Sequence, residues 1–419
     1  MMKRIAIIIG MLLLLIVGFV WTTYTIRKNK IDKQYISNST TSILSIAVDD
    51  LLLDNISSLP TWNNSLEKKD KGESWMKNII FNAGIEIPAR IYLFSMAPHM
   101  RQLYGILPLK DYDDCFSFFA NHYPEGIDLI DKEKGIVSVV INKHINVLFD
   151  RRHIIYKIAV ESNSDFKDLQ SILLQPHTWT TIASIKGFEG ALPQKHISYI
   201  QKGGLLQIEA MVKNDKAEVE GKWLLAKRLD DTLLMRDMDT TKQTLTFWNL
   251  LPLSEIPVLS HLLNKYTGMN LEQLNSNYFD FQVNDDYILQ KDSAISYMYD
   301  DDFNVIEQTQ VQEVTVPSIT YSWRSNALLE AALPDTMFYK VQKKRIDQYL
   351  INTTLETFPN QVTSKQTLHP LYFFIDFERW PETWNVSVFK KLKEKKVKVR
   401  MTTTLQAKNE LSINGQISF

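Results

Sequence analysis

Residues 205–225 read LLQIEAMVKNDKAEVEGKWLL. Two runs, Leu205–Val212 and Ala217–Leu225, flank the polar stretch Lys213-Asn214-Asp215-Lys216. Met211, Val219 and Trp223 supply apolar positions and the Asn-Asp pair is turn chemistry, so the segment predicts a β-hairpin. A similar pattern closes the chain: Lys408-Asn409-Glu410 is followed by Ile413-Asn414-Gly415-Gln416-Ile417, as Lys213-Asn214-Asp215 is followed by Val219-Glu220-Gly221-Lys222-Trp223. Upstream, Ile79-Ile80 to Gly84-Ile85-Glu86-Ile87 resembles Leu262-Leu263 to Gly268-Met269-Asn270-Leu271. The matches keep their order, at separations of 194 residues (Gly221 to Gly415) and 184 (Gly84 to Gly268). They predict a divergent internal duplication, residues 41–235 and 236–419.

Working outward, strand signals recur at Ile43–Val48, Ile91–Ser95, Leu103–Leu107, Ile136–Ile141, Ile145–Phe149 and Ile154–Val160. Helical spacing marks Asp111–His122, with Asp111 as N-cap and Cys115, Phe118 and Phe119 on one face, and Asp165–Leu174. A short helix capped by Asp49 or Asp50 and another around Trp75, Ile79 and Ile80, with Gly84 placed as its C-cap, complete the first half. In the second, Ser254–Tyr266 reads as a helix ended by Gly268, and Ala327–Leu333 and Lys344–Leu355 as further helices. Thr244–Trp248, Phe279–Val283, Tyr287–Leu289, Ile295–Tyr299, Tyr372–Phe377 and Val386–Phe389 read as strands, before a final hairpin from Val397 to Phe419. The expectation is an α+β fold of mainly antiparallel sheets with helices packed on them.

The N-terminus has a different composition. Ile5 to Trp21 reads IAIIIGMLLLLIVGFVW without a charge, and none follows before Arg27. A bilayer core of about 30 Å needs ~20 apolar residues, so residues 1–27 predict a single transmembrane helix carrying Ile5, Leu12, Leu15, Phe19 and Trp21. The run ends in Trp21-Thr22-Thr23-Tyr24 without a small-residue cleavage pattern, which favours an uncleaved signal anchor. Lys3 and Arg4 nearly balance Arg27, Lys28, Lys30 and Lys33 across it. The four-residue stub before the helix points to an extracytoplasmic body. Residues 28–40 are polar and read as a stem. With Asp32, the first 33 residues carry +5, which leaves −6 of the −1 total on the body. An acidic body on a basic foot suits lipid headgroups and argues against nucleic acid.

Motifs of chemistry are scarce. Cys115 stands alone, which excludes an intramolecular disulfide, a multi-cysteine zinc site and a CxxC pair. Fourteen glycines form no phosphate loop and no GxSxG elbow. The eight histidines make no HxH, HxxxH or HExxH; His144 and His153 could meet across one hairpin. Asp49-Asp50, Asp111–Asp114 and Asp300–Asp302 lack calcium-loop spacing. No cofactor or metal is expected, and no residue is singled out as catalytic. The run KKLKEKKVKVR, 390–400, reads either as contact with anionic lipid or, preferably, as a lysine-rich edge strand. Tyr372-Phe373-Phe374 and the Trp380 to Trp384 stretch read as packing rather than as a carbohydrate or peptide platform.

The anchor, Ala83-Gly84-Ile85-Glu86-Ile87 and His196-Ile197-Ser198-Tyr199-Ile200 together resemble uncharacterised membrane-anchored envelope proteins of the Bacteroidota. That resemblance implies a short tail, one apolar helix and a large extracytoplasmic region, and carries over no catalytic residue. The leading expectation is a non-catalytic envelope module that binds a protein or lipid partner, held by membrane lipid through its N-terminal helix. The alternatives are an envelope hydrolase acting on glycan or peptide, which needs carboxylates or a Ser and a His to converge, and a scaffolding subunit with a large apolar patch.

Overall fold

The computed structural model describes residues 22, 24–55, 83–97, 101–162, 165–188, 195–230, 232–239, 241, 243–272, 277–299, 305–333, 336–337, 339–358, 362–382, 384 and 387–419. The expected anchor, with Ile5, Leu12, Leu15, Phe19 and Trp21, lies outside them. So do the helix around Trp75, the loop from Asn63 and the Asp300–Asp302 turn. Among the described residues no helix is long and apolar enough to cross a membrane. The chain forms two compact units, one through Asn214 and one from Asp215 to Phe419, and both are α+β with antiparallel sheets.

Unit 1 runs β1 (Tyr35–Ser37), β2 (Ser42–Ala47), α1 (Val48–Asp54), β3 (Arg90–Ser95), β4 (Gln102–Pro108), α2 (Tyr112–His122), β5 (Ile127–Asp131), β6 (Ile136–Asn142), β7 (Ile145–Phe149), β8 (His153–Ala159), α3 (Lys167–Leu174), β9 (Trp179–Thr181), β10 (Ile197–Gln201) and β11 (Leu206–Lys213). Its sheet orders β11-β10-β2-β3-β4-β8-β7-β6-β5, all antiparallel, with β1 and β9 paired apart. Alternation sorts the apolar side chains to two faces. Ile136, Leu148 and Ile155 meet Leu169, Ile172 and Leu173 of α3, whereas Val137, Val139 and Phe149 meet Cys115, Phe118 and Phe119 of α2. Asp111 caps α2 as expected, accepting from the Asp114 amide at 2.9 Å. Cys115 is fully buried, and desolvation pushes its thiol up to about 12, so it is unreactive at neutral pH.

Unit 2 runs β12 (Lys216–Leu224), β13 (Leu234–Arg236), β14 (Gln243–Asn249), α4 (Pro257–Thr267), β15 (Phe279–Tyr299), β16 (Val305–Arg324), α5 (Ala327–Ala332), β17 (Thr336–Met337), β18 (Tyr339–Lys340), β19 (Gln342–Ile346), β20 (Tyr349–Thr353), β21 (Ser364–Gln366), β22 (Leu371–Asp376), α6 (Ser387–Glu394), β23 (Lys398–Ala407) and β24 (Glu410–Ser418). Its sheet orders β12-β24-β23-β22-β14-β15-β16-β20-β19. Five ladders keep the same order in the two units. The ladders β1–β9, β2–β10, β2–β3, β4–β8 and β7–β8 recur as β13–β21, β14–β22, β14–β15, β16–β20 and β19–β20. A helix follows the second and fourth strand of each set. The short strands β1 and β13 share one burial pattern, with Ile36 and Met235 buried between an exposed and a buried neighbour. Within unit 2, β12 pairs with β24 so that Glu220 faces Asn414, Gly221 faces Ile413 and Val219 faces Gly415.

Several expected elements differ. The hairpin at 205–225 is not among them: β11 and β12 flank a two-residue turn with Asn214 at φ 50°, and the division between the units falls at that turn. Lys344–Leu355 is not a helix but the tight pair β19–β20, turned at Asp347 with φ 52°. Tyr349 to Thr353 are all buried, so their apolar run mimics a helix while serving both faces of a strand. Of the expected strand Val386–Phe389, Val386 lies outside the described residues and Ser387 to Phe389 open the helix α6, where Phe389 and Leu392 cover Phe377 and Trp380. The three short strands from Phe279 to Tyr299 are one strand, irregular between Val283 and Tyr287, and its partner β16 has no counterpart among the expected elements. Beyond that irregularity the pair continues to Tyr299 opposite Val305 as a ribbon roughly 40 Å long. The polar stem ends inside unit 1, where Ile36 is fully buried and β1 pairs with β9.

Candidate functional site

The chain leaving the expected anchor is fastened at once to unit 1. Residues 24–28 are helical, and the first turn of α1 offers Asp49 and Asp50 to them. Arg27 donates Nε and Nη2 to the Asp49 carboxylate, both at 2.8 Å, in the two-pronged geometry that suits guanidinium. Tyr24 donates its hydroxyl to Asp50 at 2.7 Å, and Lys28 donates to Tyr24 at 3.1 Å. That bond to Asp50, with burial, raises the Tyr24 pKa. The acidic pair read as a helix cap therefore clamps the stem, while α1 starts at Val48 without a side-chain cap.

Beyond the clamp the chain makes a single turn, Ile31–Lys33, and Gln34 anchors it by donating to the Arg90 carbonyl at 2.7 Å. Between this turn and the sheet lies a cleft of about 330 Å³. Arg27, Lys30 and Lys33 line one side; Glu86, Ile87 and Pro88 the other; Ile106 and Pro108 supply an apolar floor. Lys30 reaches Glu86 at 2.8 Å and Arg27 is held by Asp49. Lys33 is exposed and makes no ion pair among the described residues, so three cations set against two carboxylates leave the cleft one net positive charge. His153 closes the end beside Tyr35, its ring edge-on to Trp179 at 4.9 Å. Desolvation lowers its pKa below the usual value despite Asp150 nearby, so the ring is neutral at pH 7.

The other residues singled out in the sequence lie elsewhere. His144 and His153 sit at opposite ends of the β7–β8 ladder, and His144 Nδ1 bonds the Ala159 carbonyl at 3.1 Å. His196 is buried: its Nδ1 accepts from the Val212 amide at 3.1 Å and its Nε2 donates to Asp54 at 3.2 Å, which ties α1 to β11. The lysine-rich run is split between α6 and β23. β23 is not an edge, since β22 and β24 flank it. Three of the run's seven cations meet carboxylates: Lys398 reaches Asp376 at 2.9 Å, Lys396 Glu378 at 3.0 Å and Lys393 Glu382 at 3.5 Å. The aromatics pack as expected, with Trp248 stacked on Tyr372 at 4.1 Å and Trp380 T-shaped against Phe389 at 4.8 Å.

Unit 2 holds a buried polar cluster that the sequence reading does not anticipate. The Asp280 carboxylate accepts from Arg236 Nε at 3.0 Å and Nη2 at 2.7 Å, from the Tyr278 hydroxyl at 2.5 Å and from Ser322. Asp280 is fully buried and takes four donors, three on Oδ2 and one on Oδ1, so the cluster fixes β13 to β15 and is shut off from solvent. An acid between Phe279 and Phe281 is its one trace in the sequence. Among the described residues no three His, Cys, Asp or Glu side chains group to hold a metal. Comparison with protein-family models, curated proteins and solved structures gives no match.

Proposed function

We propose that this chain is a membrane-held, non-catalytic binding module whose cleft beside the stem takes the anionic headgroup of a lipid. The observation that carries the reading is the placement of Lys33. Among the described residues it is a cation without an ion pair, set over an apolar floor on the segment that directly follows the expected anchor. Residues 24–28 rise about 1.5 Å each, so the cleft lies within reach of the headgroup layer. One net positive charge suits a phosphodiester monoanion, and Ile106 and Pro108 suit its glycerol and first methylenes. The recurring strand order supports a divergent duplication, with this cleft in the first copy. In the second, Ser322 and Arg236 occupy the corresponding strands with buried polar bonds.

The test is calorimetry on the full chain in phosphatidylcholine nanodiscs, titrated with soluble dihexanoyl phosphatidylglycerol. Binding is expected, with Lys33→Glu weakening it about tenfold or more and Lys390→Glu, on the distant α6, leaving it unchanged. Equal binding by Lys33→Glu overturns the reading.

A pH dependence follows from His153. Affinity is expected to rise as pH falls below about 6.5, because the ring then adds a cation to the cleft. The stability effect has the opposite sign. The unfolded chain takes its proton first, so the contribution is full above about 6.5 and is lost as pH falls toward the lower folded value. Titration and urea unfolding at pH 7.5 and 5.5, in parent and His153→Gln, check both; no difference between the two proteins would remove His153 from the site.

A further inference from the structure

A second cleft in unit 1 has the opposite character. α3 packs on β7 and β8 and leaves the same face of β5–β6 uncovered, and that strip floors a cleft of about 820 Å³. Asp128 stands opposite Ser138 across the ladder, so both point to this floor. One wall is the end of α2 with its following turn; the other is Phe166 and Gln170 at the start of α3. Gly126 allows the turn to lie directly on β6. It accepts from the Val140 amide at 2.8 Å, and a Cβ there would sit 2.4 Å from the Val140 oxygen. His122 donates Nδ1 to the Phe118 carbonyl at 2.8 Å, which leaves Nε2 of the neutral ring as an acceptor. In unit 2 the corresponding strands β17 and β18 have two residues each, so the cleft is a product of the longer β5–β6 pair.

We infer that this cleft binds an oligosaccharide built of neutral or amino sugars. Its volume lies within the range of small-ligand sites. Tyr123 and Phe166 offer ring surface against which the C–H face of a pyranose packs. Around them stand acceptors, Asp128 and Glu125, and a donor, the Gln170 amide, while the Ser138 hydroxyl is directed at the Asp128 carbonyl at 3.4 Å; a sugar hydroxyl needs both kinds. No lysine or arginine lines the cleft while two carboxylates do, so uronates and phosphates are repelled. A basic peptide could meet the same carboxylates, and it is the ring surface of Tyr123 and Phe166 beside them that favours the sugar. A glycan site on a membrane-held chain is independent of the lipid cleft, with no residue in common.

The experiment titrates the full chain in phosphatidylcholine nanodiscs with chitotetraose, cellotetraose, tetragalacturonate and tetralysine. At least one of the first two is expected to bind with a sub-millimolar Kd, and Asp128→Asn to weaken it about tenfold. Gln170→Ala is expected to weaken it by a smaller factor, and Lys33→Glu to leave it unchanged. Asp128 is exposed, so its variant folds, and circular dichroism verifies this. The inference is overturned if neither neutral sugar binds, if Asp128→Asn binds them as well as the parent, or if tetragalacturonate binds equally. Binding of tetralysine in place of the sugars also overturns it and assigns the cleft to a basic peptide.

Discussion

Asp280→Ala is expected to destabilise unit 2 by about 3–5 kcal/mol, because it strands a buried guanidinium. Arg236 is 7% exposed and Asp280 not at all. Burial alone would lower the Arg236 pKa; Asp280 reverses this and raises it. The same burial, with Asp280 beside it, pushes the Tyr278 hydroxyl far above its ordinary range, so it remains a donor to the carboxylate. Without the carboxylate, Arg236, Tyr278 and Ser322 all lose their acceptor at once. Urea unfolding followed by tryptophan fluorescence measures the loss. The double variant Asp280→Ala, Arg236→Met separates the pair's net worth from the cost of breaking it, and is expected to recover most of the stability. A single variant within 1 kcal/mol of the parent would mean that water reaches the cluster.

The second large effect is expected at Gly84. Its φ is +60°, and a Cβ would lie 2.2 Å from the Asp111 carbonyl oxygen. That oxygen cannot retreat freely, since it accepts the Cys115 amide in the first turn of α2. The Gly84 carbonyl in turn accepts the Lys110 and Asp111 amides at 2.7 and 3.0 Å. Gly84→Ala therefore combines the left-handed penalty, about 1–2 kcal/mol, with a backbone overlap, and a total near 3 kcal/mol is expected. Gly268 is the control. It ends α4 at φ +69° with nothing within 4 Å of a Cβ, so Gly268→Ala should cost only about 1 kcal/mol. Thermal unfolding of the two variants compares them, and equal losses would dismiss the overlap. Gly84→Ala should also weaken lipid binding, because Glu86 to Pro88 form one side of the cleft.

The two glycines show what the sequence reveals and what it hides. Both were expected to end helices, and both have positive φ, because a left-handed position leaves a single-residue signature. Asp111 as cap and Cys115, Phe118 and Phe119 as one face were legible for the same reason, since capping and 3.6-residue spacing are local. Tyr349 to Thr353 misled because a strand buried on both faces loses its alternation. Lys396 and Lys398 look unpaired along the chain, yet Asp376 at the end of β22 and Glu378 in the turn after it pair with them. The stem cleft was partly visible as a basic foot. Its other side and floor, from Glu86 to Pro108, come from strands that only folding brings near. Asp280 and Arg236 lie 44 residues apart, and no local pattern links them.

The ladder between β12 and β24 has a consequence for how the protein is made. Leu224 pairs with Glu410, so β12 emerges from the ribosome about 190 residues before its partner, roughly 10–40 s ahead. β24 is the last strand of unit 2 in chain order, so this edge closes only after every other strand of the unit has been made. Until then β12 presents a row of amides and carbonyls that other chains could pair with. Its alternating Lys216, Glu218, Glu220 and Lys222 place charges along that row, which suits a strand that must wait in solution.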